Sequence, residues 1–158
     1  LIQIAGSMSS TAELGPTELP IAQPTPSPVP APAFRILRPS WLPEAMTVRE
    51  QYEPTSHGSG IILGFDPRPE DAPHDVLTLR EIPAAAASLG AADDPQATRE
   101  TIGGRDVTII RRGNGCVSAE WVQDGVALTL TNPYDPPGEP GEVRYTCDQL
   151  RRIIESIE

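Results

Sequence analysis

The chain has 158 residues, with 22 acids, 12 arginines and no lysine, and a formal net charge of −10. An acidic chain without a basic run argues against binding nucleic acid or an anionic membrane surface, because both require clustered cations to neutralise phosphate. Beyond residue 33 the length is that of one ordinary domain, with enough aliphatic side chains for a modest core.

Residues 1–33 hold seven of the 19 prolines and only two charges, Glu13 and Glu18. Aliphatic residues recur there at no fixed period, and a residue ahead of proline is pushed out of the α region, so this part is expected to be extended and solvated. "PIAQPTPSPVPAP", Pro20 to Pro32, reads as a stiff spacer. In polyproline II geometry Pro24 to Pro32 spans roughly 28 Å at about 3.1 Å per residue. Leu1 is not an initiator residue, which implies processing or a fragment. "LIQIAG" falls far short of the roughly 20 residues that span a bilayer. It reads as the end of a transmembrane helix, the remains of a signal region, or an unstructured leader.

Residues 34–158 keep 20 acids against 12 arginines, a charge of −8, and read as one α+β globular domain. Short β-rich runs predict strands at Phe34–Leu37, Thr47–Glu53, Ser59–Phe65, Asp75–Ile82, Arg99–Ile102, Arg105–Arg111, Cys116–Gln123 and Val126–Thr131. The Gly, Pro, Asn and Asp content of "PRPEDAP", "PAAAASLGAADDP", "GG", "GNG" and "NPYDPPGEPG" marks turns or loops. Within the second of these, Ala84 to Gly90 suits either a short helix or an ordered loop.

A two-residue turn at Asp124-Gly125 sets Gln123 opposite Val126, Trp121 opposite Leu128 and Ala119 opposite Leu130. Val117, Ala119, Trp121, Leu128 and Leu130 then share one face, so two alternations agree on one register. A turn at Asn114-Gly115 places Ile110 opposite Ala119 and Thr108 opposite Trp121. That leaves Val107 and Ile109 on the other face, unless the loop is one residue longer.

In "TCDQLRRIIESIE", Thr146 and Gln149 have capping-box spacing, and Leu150, Ile153, Ile154 and Ile157 recur as a helical stripe. The predicted fold is a curved antiparallel meander with this C-terminal helix packed on one face. The arginines at 111, 112, 151 and 152 read as a solvated strand end and the last turns of the helix.

Cys116 opens the Trp121 strand and Cys147 opens the helix. A disulfide between them would staple helix to sheet across a loop of about 30 residues, contributing on the order of 3 kcal/mol, and would fit an oxidising compartment. By strand parity Cys116 is out of phase with Val117, Ala119 and Trp121. A bulge at Gly115 would bring the sulfurs together; without one they face apart and both cysteines stay unpaired.

Catalytic chemistry has little support. His57 and His74 lie in polar loops without a third spaced ligand, although His74, Asp75 and Asp71 offer a weak cation site. Ser56, Ser59 and Ser118 lack G-x-S-x-G context, Cys116 lacks any nucleophile signature, and the glycines at 58, 60 and 64 precede no lysine and no helix. No metal and no cofactor are expected. Trp41 and Trp121, with Leu128, Leu150 and Ile154, form either the core between sheet and helix or the lining of an apolar groove.

The order "SWLPEAMTV", a strand pair, "VLTLREIP", "TIGGRDVTII", "SAEWVQDGVALTL" and "DQLRRIIESIE" resembles an uncharacterised extracytoplasmic domain family. Its members sit on bacterial lipoproteins and on the outer part of anti-sigma factors, behind one transmembrane helix. That family reads Leu-Pro-Glu-Gly at its first turn, a Gly before the central hairpin, a Trp followed by an acidic-Gly turn, and a final helix ending in Ser plus an aliphatic. Leu42-Pro43-Glu44, Gly104, Trp121 with Asp124-Gly125, and Ser156-Ile157 match, while Ala45 replaces the Gly. The resemblance covers residues 39–158 and carries no catalytic motif. It implies a fold distantly similar to periplasmic lipoprotein carriers, whose curved sheet wraps an apolar groove.

The expected function is therefore non-enzymatic: a sensory or protein-interaction domain outside a bacterial membrane, tethered by its N-terminal stalk and contacting a protein partner. The alternative is a carrier of lipid or another apolar small molecule between sheet and helix. A continuous apolar groove would favour the carrier; a closed core with an exposed apolar or edge-strand patch would favour the interaction domain.

Overall fold

The computed structural model describes residues 29–67, 76–135 and 142–158. The apolar stub, the stalk up to Pro28, the loop containing Asp71, His74 and Asp75, and the proline-rich loop after Asp135 lie outside the described residues.

Seven strands form one antiparallel sheet: β1 (Thr47–Thr55), β2 (Gly58–Asp66), β3 (Leu77–Pro83), β4 (Ala97–Ile102), β5 (Arg105–Arg112), β6 (Gly115–Gln123) and β7 (Val126–Thr131). Their spatial order is β1-β2-β3-β7-β6-β5-β4. Two meanders, β1 to β3 and β4 to β7, are thus joined by a crossover from β3 to the far edge and sealed where β3 pairs with β7. The crossover runs over the outer face, where the Ala91 N–H donates to Glu120 Oε2 at 3.0 Å. It contains two single 3₁₀ turns, Ala84–Ala86 and Ala91–Asp93. The short helix considered over Ala84–Gly90 is absent, since Ala87 is already extended. Two more short strands, β8 (Tyr134–Asp135) and β9 (Glu142–Val143), form a separate ribbon.

The helix α1 (Cys147–Glu155) lies on the inner face. Its capping box is complete: the Gln149 N–H donates to Thr146 Oγ1 at 3.2 Å and the Thr146 N–H to Gln149 Oε1 at 2.9 Å. Leu150, Ile153, Ile154 and Ile157 are fully buried, each removing apolar surface worth about 1.5–3 kcal/mol. At the far end Arg105, at the start of β5, donates to the Ile154 and Ile157 carbonyls at 2.8 and 2.7 Å, satisfying oxygens that a helix C-terminus leaves open.

The β6–β7 hairpin has the expected register, with Trp121 opposite Leu128 and Ala119 opposite Leu130. Asp124 and Gly125 both take positive φ, as the tight turn requires. The β5–β6 register differs from expectation. The turn is Gly113-Asn114, and the pairing shifts between Ile110 and Arg111, so that Ile109 faces Ala119 and Thr108 faces Glu120. Opposite that step Val117 is the extra residue of a β-bulge. It leaves the inner face, Val107 and Ile109 enter it, and Cys116 comes back into phase with Ala119 and Trp121. Cys116 is bonded to Cys147, with their Cα atoms 5.1 Å apart.

Phe34–Leu37 is not a strand of the sheet. The segment from Phe34 to Met46 is an irregular strap whose apolar side chains pack against the core. Its backbone pairs with the end of the chain instead: the Arg38 and Glu158 amides exchange hydrogen bonds of 3.2 Å, and the Ser40 N–H donates to the Ser156 carbonyl at 2.9 Å. With a separation of 31 residues between its cysteines, the staple from β6 to α1 is expected to stabilise the fold by about 3 to 4 kcal/mol. A Cys116→Ser/Cys147→Ser variant should show that loss as a lower urea midpoint, with a somewhat larger m-value because the unfolded chain is no longer cross-linked.

Candidate interaction surface

The sheet's alternation decides what its inner face can hold. Trp121, Leu128, Leu150 and Ile154 are buried in one continuous cluster with Leu63, Phe65, Leu79 and Ile109. Trp41 sits at the rim, under Arg152, whose guanidinium carbon lies 4.1 Å from the indole centroid. The Trp41 N–H donates to Ser156 Oγ at 3.2 Å, fixing the strap to the end of α1. Clefts of about 480 Å³ beside Tyr145 and Cys147, and about 510 Å³ beside Leu89 and Val122, open elsewhere. Trp121 borders the second cleft, whereas Leu128, Leu150 and Ile154 border neither.

His57 is exposed in the β1–β2 turn, its N–H donating to Thr55 Oγ1. Among the described residues no cluster of three His, Cys, Asp or Glu could hold a metal ion. The arginine pairs are not simply solvated. Arg111 and Arg151 converge on Glu100 at 2.9 and 2.8 Å, which ties α1 to β4 and β5, and Arg112 pairs with Asp94 at 2.7 Å. Glu44, of the Leu42-Pro43-Glu44 turn, accepts from the Tyr145 hydroxyl at 2.8 Å.

One inward residue was missed in reading the sequence. Glu81 follows Leu77 and Leu79 at period two, so its side chain enters the core, opposite Ile61 on one side and Leu128 on the other. The alternation alone placed it there. Its Oε2 accepts from the Leu37 N–H at 2.9 Å, whereas Oε1 is buried without a partner. Burial pushes the carboxyl up to about 7, against the Leu37 amide and the Arg38 charge, which both favour the ionised form.

The open surface is β1. Among the described residues it is an edge strand of nine residues, paired to β2 alone and exposed along most of its length. The two-residue loop Ser56-His57 makes Thr55 and Gly58 the closing pair. Ladder alternation then turns the N–H and C=O groups of Val48, Glu50 and Tyr52 away from β2. Pro54, which has no N–H, occupies the next open position, where a ladder loses nothing. Val48 and Tyr52 are 41% and 37% exposed on the same face. The opposite edge, β4, is flanked by α1 and by the crossover.

No family model matches the chain, and neither the curated proteins nor the solved structures give a match to it.

Between about pH 4.5 and 7 the folded state holds a proton on Glu81 that the unfolded chain releases. Stability should therefore be greatest near pH 4.5 and fall by up to about 3 kcal/mol as pH rises to about 7. The lowered carboxylates Glu50, Asp94 and Glu100 act in the opposite sense and at lower pH. Urea titrations across this range should show the decline in the wild-type chain and a flat profile for Glu81→Gln.

Proposed function

We propose that this chain is a non-enzymatic, extracytoplasmic protein-interaction or sensory domain, held on a bacterial membrane by its N-terminal segment. Such a domain would serve as the outer part of an anti-sigma factor or as a component of an envelope complex. The observation that carries the reading is the contrast between the two ends of the sheet: the inner face is closed by α1 and the strap, while β1 offers an unpaired backbone edge beside exposed Val48 and Tyr52. An open edge of this kind binds extended protein segments by adding a strand.

Two further features support it. The Cys116–Cys147 bond suits an oxidising compartment. The strap directly follows the prolyl segment and is bonded to Ser156, Glu158 and Glu81, so a tether would enter the fold through a firmly anchored segment.

Native mass spectrometry of the chain purified from a bacterial envelope extract tests this reading. The expected spectrum contains the bare or protein-bound chain, two protons lighter than its reduced mass. A stoichiometric lipid-sized adduct would overturn it in favour of an apolar-ligand carrier.

A further inference from the structure

We propose that the occupant of the β1 edge is a second copy of this chain, paired antiparallel about Gln51. The inference rests on β1 being an interaction edge, and it names the partner.

The charges on β1 select the register. Arg49, Glu50, Glu53 and Pro54 are the residue types that keep an edge from pairing with unrelated strands. In an antiparallel pair of identical strands, centring on Arg49, Glu50 or Glu53 sets that charge against its own copy. Centring on Tyr52 leaves Arg49 against Thr55 and Glu53 against Gln51. Centring on Gln51 sets Arg49 opposite Glu53 of the second copy, twice, and Val48 opposite Pro54. Directly opposed unlike charges favour a pair, and like charges disfavour it.

The backbone agrees with that register. Glu50 and Tyr52 both direct their N–H and C=O groups to the open side, and about Gln51 they lie opposite each other and exchange two bonds. Val48 donates to the Pro54 carbonyl, so the missing proline N–H costs only one bond at each end. About six hydrogen bonds result across the two-fold axis. Arg49 already bonds Asp66 at 2.7 Å, and Glu53 bonds Arg80 at 2.6 Å. The added contacts join these two pairs into one alternating row across the joined edges. The axis stands perpendicular to the sheet, leaving both inner faces and both straps on one side, as two copies anchored in one membrane require. Tethering in a plane raises the effective concentration, so a modest edge contact suffices there.

Cysteine cross-linking of the full chain reads the register. Because Gln51 forms a non-hydrogen-bonded pair with itself across the axis, its Cα atoms would lie about 4.5 Å apart, within disulfide reach. Residue 49 would lie about 13 Å from its own copy, as would residue 53. With Cys116 and Cys147 bonded, Gln51→Cys should form a linked dimer under mild oxidation at least tenfold faster than Arg49→Cys or Glu53→Cys. Adding Tyr52→Pro, which removes an open-side N–H but no bond to β2, should slow linking at least tenfold without altering the thermal melt. Arg49→Glu and Glu53→Arg chains should each dimerise at least tenfold more weakly alone and recover when mixed, because mixing restores opposite charges at every facing position. Equal linking at all three positions, or indifference to Tyr52→Pro in a folded chain, overturns the second-copy proposal. Failure to link at 51 in a chain that carries no lipid adduct overturns the second copy alone, whereas a lipid adduct removes the interaction reading beneath it.

Discussion

Among the described residues a single short helix has to cover a wide sheet. Nine helical residues measure about 14 Å, and seven strands at about 4.8 Å spacing measure about 29 Å across. The helix α1 therefore closes roughly half of the inner face, and its contacts fall on β4 and β6. The rest must be covered by something that is neither helix nor strand. Leu37, Ile36 and Trp41 of the strap do this, packing beside Ile157 in the same cluster as the inward residues of β2 and β3. Coverage stops there, which is why β1 is left outside the core although it is fully paired to β2.

That division explains why the two ends of the chain are tied together. Strap backbone that covers a core still needs hydrogen-bond partners, and no described strand of the sheet pairs with it. The residues after α1 supply them: Arg38 with Glu158, Ser40 with Ser156, and a bridge between Pro39 and Ile157. Leu37, at the deepest point, finds Glu81 instead. A carboxyl among leucines is a costly acceptor, yet an unpartnered Leu37 amide in the same place would also be costly. Asn132 solves a similar problem more completely at the other end of the core, donating to the Cys116 and Tyr145 carbonyls at 2.8 and 2.7 Å and accepting from the Tyr145 N–H.

The features legible in the sequence were those set by local chemistry. Asp124-Gly125 specified a tight turn and with it the whole β6–β7 register, and Thr146 with Gln149 marked the start of the helix whose apolar stripe is buried. What escaped was set at a distance or by a single inserted residue. The bulge at Val117 follows from no residue preference in "GNGCVSAEW", yet it reverses the parity of every residue before it in β6. The strap has the composition of a strand, and only its partner, the far end of the chain, makes it something else. Glu81 is placed by the period of Leu77 and Leu79 in "VLTLREIP", but Glu81 and Ile82 invert the polar pattern there, so residue type gives no sign of its inward phase.

Magnitudes also separate the two surfaces that the strap touches. It meets β1 through the Arg38–Glu50 ion pair and β3 through the Leu37–Glu81 hydrogen bond. The first is solvent-exposed, and such pairs are worth about 0–1 kcal/mol. The second is buried, and a charged or unsatisfied group there changes stability by several-fold more. Pairing at the β1 edge can therefore rearrange Glu50 with little effect on the strap, while anything that displaces Leu37 exposes a carboxyl held near pKa 7. Docking of the strap and any pairing at the edge therefore rest on separate groups of one sheet: the first on the buried Leu37–Glu81 contact, the second on the outward backbone groups and charges of β1.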